Sequence, residues 1–140
     1  MADQDPRERS QQSLLVADSD VLVRHVIADY LRHCGYAVIE AASFDEARAV
    51  LEAPTVAIEL VLCDVELAGE GNGFALRALV AREWPEVQVV LAGNIDAAAR
   101  AAGELCEQGP HLARPYDPQL AMERIRRSLA QRQRPPQSRK

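Results

Sequence analysis

Two aspartates, Asp18 and Asp64, each end a short apolar run: Leu14-Leu15-Val16-Ala17 before the first, Leu60-Val61-Leu62-Cys63 before the second. Such a run, stopped by a carboxylate, reads as a strand buried on both faces with the acid at its carboxyl end. Open parallel α/β sheets bind their ligands beyond those carboxyl ends. Two carboxylates meeting in one small pocket repel, and one of them then takes a proton. A hard divalent cation such as Mg²⁺, which accepts oxygen ligands and keeps several waters, removes that conflict. Each aspartate also has a plainer reading, as a cap on the helix that follows it.

The intervening segments supply the elements needed to hold these acids. After the strand at 13–17, Val23, Val26, Ile27, Tyr30, Leu31 and Cys34 recur at helical spacing, with Asp20 as the N-cap and Gly35 as the stop. Tyr36 to Glu40 reads as a second strand. Ser43 with Glu46 forms a capping box for a helix that ends before Pro54. Val56 to Val65 reads as the most apolar strand, interrupted only by Glu59 and Asp64. A glycine-rich loop, 68–73, leads to a helix counted on Phe74, Leu76, Leu79, Val80 and Trp84. Val87 to Leu91 is a fourth strand, Asn94 to Glu107 an Ala-rich helix, His111 to Ala113 a short fifth strand, and Asp117 opens a last helix. Strand and helix alternate five times, which predicts an α/β fold: a five-stranded parallel sheet with five helices on both faces. Residues 1–12 and 131–140 read as disordered arms around one domain at 13–130, with no room for a second after residue 130.

Composition narrows the function classes. The 140 residues are 48% hydrophobic and 26% charged, with a formal net charge of −5, which gives no electrostatic support to nucleic-acid binding. Six C-terminal arginines, Arg124, Arg126, Arg127, Arg132, Arg134 and Arg139, form either a docking patch or a solvated helix face running into the tail. Cys34, Cys63 and Cys106 show no metal or redox spacing. Cys63 reads as a small buried hydrophobe, and the odd count suits a reducing compartment. No signal-peptide core and no stretch approaching ~20 apolar residues is present, so the expectation is a cytoplasmic protein without a membrane partner.

Three segments, in order, carry a family resemblance. Leu14 to Asp20 resembles the acidic first-strand motif of two-component response-regulator receiver domains, Leu60 to Val65 their phosphoacceptor strand, and Leu112-Ala113-Arg114-Pro115-Tyr116 their fifth-strand Lys-Pro motif. The resemblance covers about residues 13–130 and implies a CheY-like, flavodoxin-like fold with strand order 2-1-3-4-5. It implies that Asp64 accepts a phosphoryl group from a histidine kinase or phosphotransfer protein. Mg²⁺ would be held by Asp18, Asp64 and the backbone carbonyl of Glu66. A downstream protein would be engaged through about residues 94–130, with a homodimer as a further possibility, and the chain would be a signalling domain rather than an enzyme.

Three departures from the family pattern weaken that expectation. The second acidic metal residue is replaced by Ser19, with Asp20 next along and expected to point into the helix start. The hydroxyl at the end of the fourth strand is replaced by Ala92, for which Asn94 is a candidate substitute. The fifth-strand lysine is Arg114, and the one lysine in the chain is Lys140. Arginine keeps the charge but presents a longer planar fork. The usually aromatic switch position is His111, which reads more plainly as an ordinary half-exposed strand residue, while His25 and His33 read as surface residues. A single-domain phosphoacceptor therefore stands beside a receiver-like binding module that no longer uses phosphorylation. A third reading comes from Asp18-Ser19-Asp20, which is similar to the nucleophile motif of haloacid-dehalogenase-like phosphatases. No later strand end carries the adjacent acids which that chemistry needs.

Overall fold

A computed structural model describes residues 12–108 together with Glu123 and Arg127, both helical. The expected strand at 111–113, most of the last helix and both arms lie outside the described residues. Within them the elements run β1 (Ser13–Ala17), α1 (Val21–His33), β2 (Ala37–Ala41), α2 (Phe44–Glu52), β3 (Leu60–Asp64), α3 (Gly73–Glu83), β4 (Gln88–Ala92) and α4 (Ile95–Gln108). The strands are parallel in the order β2-β1-β3-β4, so the order expected for the first four is observed.

Strand alternation builds two cores, one on each face of the sheet. Leu14, Val16, Leu60 and Leu62 pack with Val23, Ile27 and Leu31 of α1 and Ala98 and Ala102 of α4. Leu15, Ala17, Val61 and Cys63 pack with Phe44, Ala47 and Leu51 of α2 and Leu76 and Val80 of α3. A strand sandwiched this way must be apolar at every position, which is why β1 and β3 read as unbroken runs.

The caps follow local chemistry. Asp20 Oδ1 accepts from the backbone N–H of Leu22 and Val23, at 3.0 and 3.2 Å. Ser43 Oγ accepts from Glu46 N at 3.2 Å, while the Glu46 carboxylate reaches past the cap to Ala42 N at 2.7 Å. Gly35, at φ 105°, reverses the chain after α1 in a conformation that a side chain would disfavour.

Several expectations need correction. The third strand is five residues rather than ten. Val56 to Glu59 lie outside the ladder, and only Glu59 N, donating to Ser13 O at 2.9 Å, begins to align the segment with β1. Ile58 is nevertheless buried, so the apolar run recorded burial and not strand length. Tyr36 belongs to the turn, with its N–H donating to Leu31 O at 3.2 Å, and β2 starts one residue later. The fourth strand runs to Ala92 rather than Leu91. Phe74, one of the apolar residues on which the expectation of α3 rests, is 53% exposed. The wide spacing of the cysteines gave no sign of pairing, yet Cys34 and Cys106 form a disulfide with Cα atoms 5.4 Å apart. They meet because α1 and α4 lie on the same face of the sheet. Cys63 is free and buried, as its apolar setting predicts.

Candidate functional site

The ends of β1, β3 and β4 surround one cleft of about 190 Å³, with Asp18, Asp20, Asp64, Glu66, Ala92 and Asn94 among its lining and Val23, Ile27, Leu62 and Ala98 beneath. The two aspartates predicted to meet do meet. Asp18 is the first residue after β1, and its N–H donates to Ala41 O at 3.0 Å. Its Oδ1 accepts from Asp20 N at 2.9 Å, a local turn that aims the carboxylate into the cleft. Asp20 itself is spent on capping α1, as expected. Asp64 closes β3 opposite Ala92, and its Oδ1 accepts from Glu66 N at 3.2 Å.

Electrostatics mark Asp18 as the strained member of the pair. Burial pushes its pKa from 3.8 up to about 6, and the charges of Asp64 and Asp20 add to the push. The Asp20 backbone N–H and Arg24 oppose it. Burial next to both carboxylates also pushes the Cys63 thiol up to about 12, which leaves it a neutral spacer rather than a nucleophile.

The departures from the expected site each have a structural account. Ser19 is exposed and turned away from a ligand role: its Oγ accepts from Ala68 N at 2.8 Å, tying the loop after β1 to the loop after β3. Ala68 O in turn accepts from Phe44 N at 2.8 Å, so the loop between Asp64 and α3 is fastened on two sides. Ala92 is buried and presents a methyl group. Asn94 is the N-cap of α4: its carbonyl oxygen accepts from Ala97 N at 2.8 Å. Arg114 and His111 lie outside the described residues. His25 and His33 are on the surface, at 64% and 49% side-chain exposure.

Two supporting features escaped the sequence reading. Arg24 Nη1 donates to the Asp18 carbonyl at 2.9 Å, and its Nε donates to Glu40 at 3.1 Å. Glu40 is partly buried, which raises its pKa, but Arg24 and Arg32 hold it below the usual range. A lone glutamate in the otherwise apolar second strand was the available signal. The other feature is Gly73, where a Cβ would collide with the Asp64 carbonyl oxygen.

Among the described residues no group of three His, Cys, Asp or Glu side chains is arranged to hold a metal ion. The donors at hand are two carboxylates lining one cleft and the backbone carbonyl of Glu66, which lines it too, all hard oxygens. That set fits a Mg²⁺ that keeps several waters.

The fold and the site define a doubly wound α/β module with paired carboxylates at adjacent strand ends. The family model of the response regulator receiver domain matches residues 14–126, and the chain belongs to that family. It is 28% identical over 131 residues to the regulatory protein VirG of Agrobacterium fabrum, covering 92% of this chain and 51% of the relative. It is 31% identical over 117 residues to the transcriptional regulatory protein AruR of Pseudomonas aeruginosa, covering 81% and 47%. The chain thus spans about half the length of the curated relatives it matches. A CheY-like receiver domain protein from Methanospirillum hungatei superposes with TM-score 0.55 at 21% identity, over 87% of this chain and 96% of that one. A complex of histidine kinase ThkA with response regulator TrrA gives TM-score 0.53 at 21% identity, over 58% and 67%. Among the described residues no helix is long and apolar enough to cross a membrane.

Proposed function

We propose that this receiver domain accepts a phosphoryl group on Asp64 and signals the change through protein–protein contact. The observation that carries the reading is the placement of Asp64 at the end of β3, facing Asp18 in one acidic cleft. The donor would be a phosphohistidine on a histidine kinase or phosphotransfer protein, and the setting cytoplasmic. The Asp64 carboxylate attacks phosphorus, the P–N bond breaks, and the imidazole leaves with the electron pair, giving an acyl phosphate. Glu66 N–H orients the nucleophile by fixing one carboxylate oxygen. Asp18, Asp64 and the Glu66 carbonyl would hold Mg²⁺, which supplies charge neutralisation in the transfer. Arg114 would contact the phosphoryl group from the following segment, and residues from about 94 to 130 would present the altered surface.

Ala92 and Ser19 favour a second reading, a binding module that has left phosphorylation behind. A methyl group at Ala92 offers a new phosphoryl oxygen no hydrogen bond, and Ser19 contributes no charge to the metal.

Titration with Mg²⁺ and then beryllofluoride, a mimic of carboxylate-bound phosphoryl, separates the two by amide chemical shifts. The phosphoacceptor reading expects saturable shifts centred on residues 18, 64 and 92. It also expects these shifts to be lost in Asp64→Asn, which removes one of the two carboxylates lining the cleft. Shifts absent from wild type at saturating Mg²⁺ and beryllofluoride would establish the binding module.

A further inference from the structure

The disulfide joins the two helices that cover one face of the sheet. Cys34 is the C-cap of α1, and Cys106 lies in the last turn of α4, which ends at Gln108. Their Cα atoms, 5.4 Å apart, stand at the ordinary spacing for a cystine, and both residues are buried. Small residues bring the helices close: Ala98, Ala99 and Ala102 share one core cluster with Ile27 and Leu31. The Tyr36 hydroxyl donates to the Leu105 carbonyl and fastens the same end of α4. At its opposite end α4 begins at Ile95, which with Ala98 lines the Asp64 cleft. One helix is therefore anchored by sulfur at one end and forms part of the cleft at the other.

We propose that Cys34 and Cys106 are a reversible redox modification site, a clasp whose closed form restrains α4 and whose open form releases it. Closure exchanges two thiols with a small-molecule disulfide such as oxidised glutathione. One S–S bond forms in the protein, the donor's S–S bond breaks, and the two protons leave with the two thiols it becomes. Opening is the reverse exchange with a dithiol. Both sulfurs sit at helix ends, where fraying of a single turn admits the reagent. Cys63 cannot compete for either partner, because it is buried in the core on the other face of the sheet. Intramolecular disulfides of cytosolic proteins, where they occur, are typically transient and redox-sensing. The clasp does not depend on Asp64 being phosphorylated.

The test compares the full chain after oxidised glutathione and after dithiothreitol, both applied to the folded protein. Alkylation after quenching and unfolding is expected to label one cysteine, Cys63, in the oxidised chain and all three in the reduced one. Hydrogen exchange over residues 95–108 is expected to quicken at least about tenfold on reduction, the scale of effect for a cross-link this far apart in sequence, and to slow again on re-oxidation. Cys106→Ser should stay fast in both conditions, and Cys63→Ala should switch like wild type. The wild-type comparison stands even if a cysteine variant folds poorly. Three labelled cysteines after oxidation, a link that includes Cys63, a cystine that dithiothreitol leaves intact in the folded chain, or equal exchange in both states would each overturn the proposal.

Discussion

Gly73→Ala is expected to destabilise the domain by about 1–2 kcal/mol and to displace Asp64. The added methyl would collide with the Asp64 carbonyl oxygen and meet Val65 Cα at 2.8 Å and the Asp64 carbonyl carbon at 3.1 Å. All three are backbone atoms, so no side chain can swing aside. Alanine has the better helix propensity by about 1 kcal/mol, but overpacking typically costs about 1–3 kcal/mol, and the steric term wins. Relief requires the start of α3 to move from the end of β3, where Gly73 N now donates to Val65 O at 3.0 Å. A shift of about 1 Å at a reacting group can cost about 100-fold in rate, so phosphoryl uptake should suffer more than stability. Urea unfolding and the rate of acyl-phosphate formation check the two parts. Gly93→Ala is the stability control, since a Cβ there meets nothing within 4 Å. A Gly73→Ala chain with wild-type stability and uptake would contradict the close approach.

Asp18→Asn should stabilise the metal-free domain at neutral pH. The Asp18 pKa is pushed from 3.8 to about 6, by burial first and then by the charge of Asp64. The folded chain therefore binds this proton more tightly than the unfolded chain. Its stabilising effect is fully present below about pH 4 and is lost as pH rises through about 6. The full displacement corresponds to about 3 kcal/mol, and partial exposure of the carboxylate reduces the expected effect to about 1–2 kcal/mol. The asparagine keeps an oxygen for the Asp20 N–H but carries no charge. The difference in unfolding free energy between the two proteins should therefore grow from about pH 4 to about pH 7 in chelator. Saturating Mg²⁺ should shrink it by stabilising wild type selectively. A pH-independent difference would show that Asp18 is not the strained carboxylate.

Much of this arrangement was legible because single features of the sequence imposed it. Strands covered on both faces must be apolar throughout, so Leu14 to Ala17 and Leu60 to Cys63 announced β1 and β3 and placed Asp18 and Asp64 at their ends. Asp20 and Ser43 marked helix starts through the backbone N–H groups that helices leave unpaired. What stayed hidden depends on neighbours distant in sequence. Gly73 looked like one loop glycine among several, and only its contact with the Asp64 backbone distinguishes it. Cys34 and Cys106 pair because two helices share a sheet face. Ser19 could be read from the sequence only as a residue without charge, and its bond to Ala68 needed the loops to be in place. Asn94 reads in the sequence as a candidate partner for the site, and its role as a cap appears only in the fold, where its carbonyl oxygen accepts from Ala97 N. Val56 to Glu59 show the limit of hydrophobicity as a strand signal, because burial does not require a ladder.

The central claim is that Asp64 is a working phosphoacceptor despite Ser19 and Ala92. Its most direct test is the intact mass of wild type and Asp64→Asn after incubation with acetyl phosphate and Mg²⁺. One phosphoryl adduct on wild type, absent from Asp64→Asn, is the expected result. An adduct that survives in Asp64→Asn, or none on wild type at saturating donor and Mg²⁺ and none from a phosphorylated histidine kinase, would contradict it.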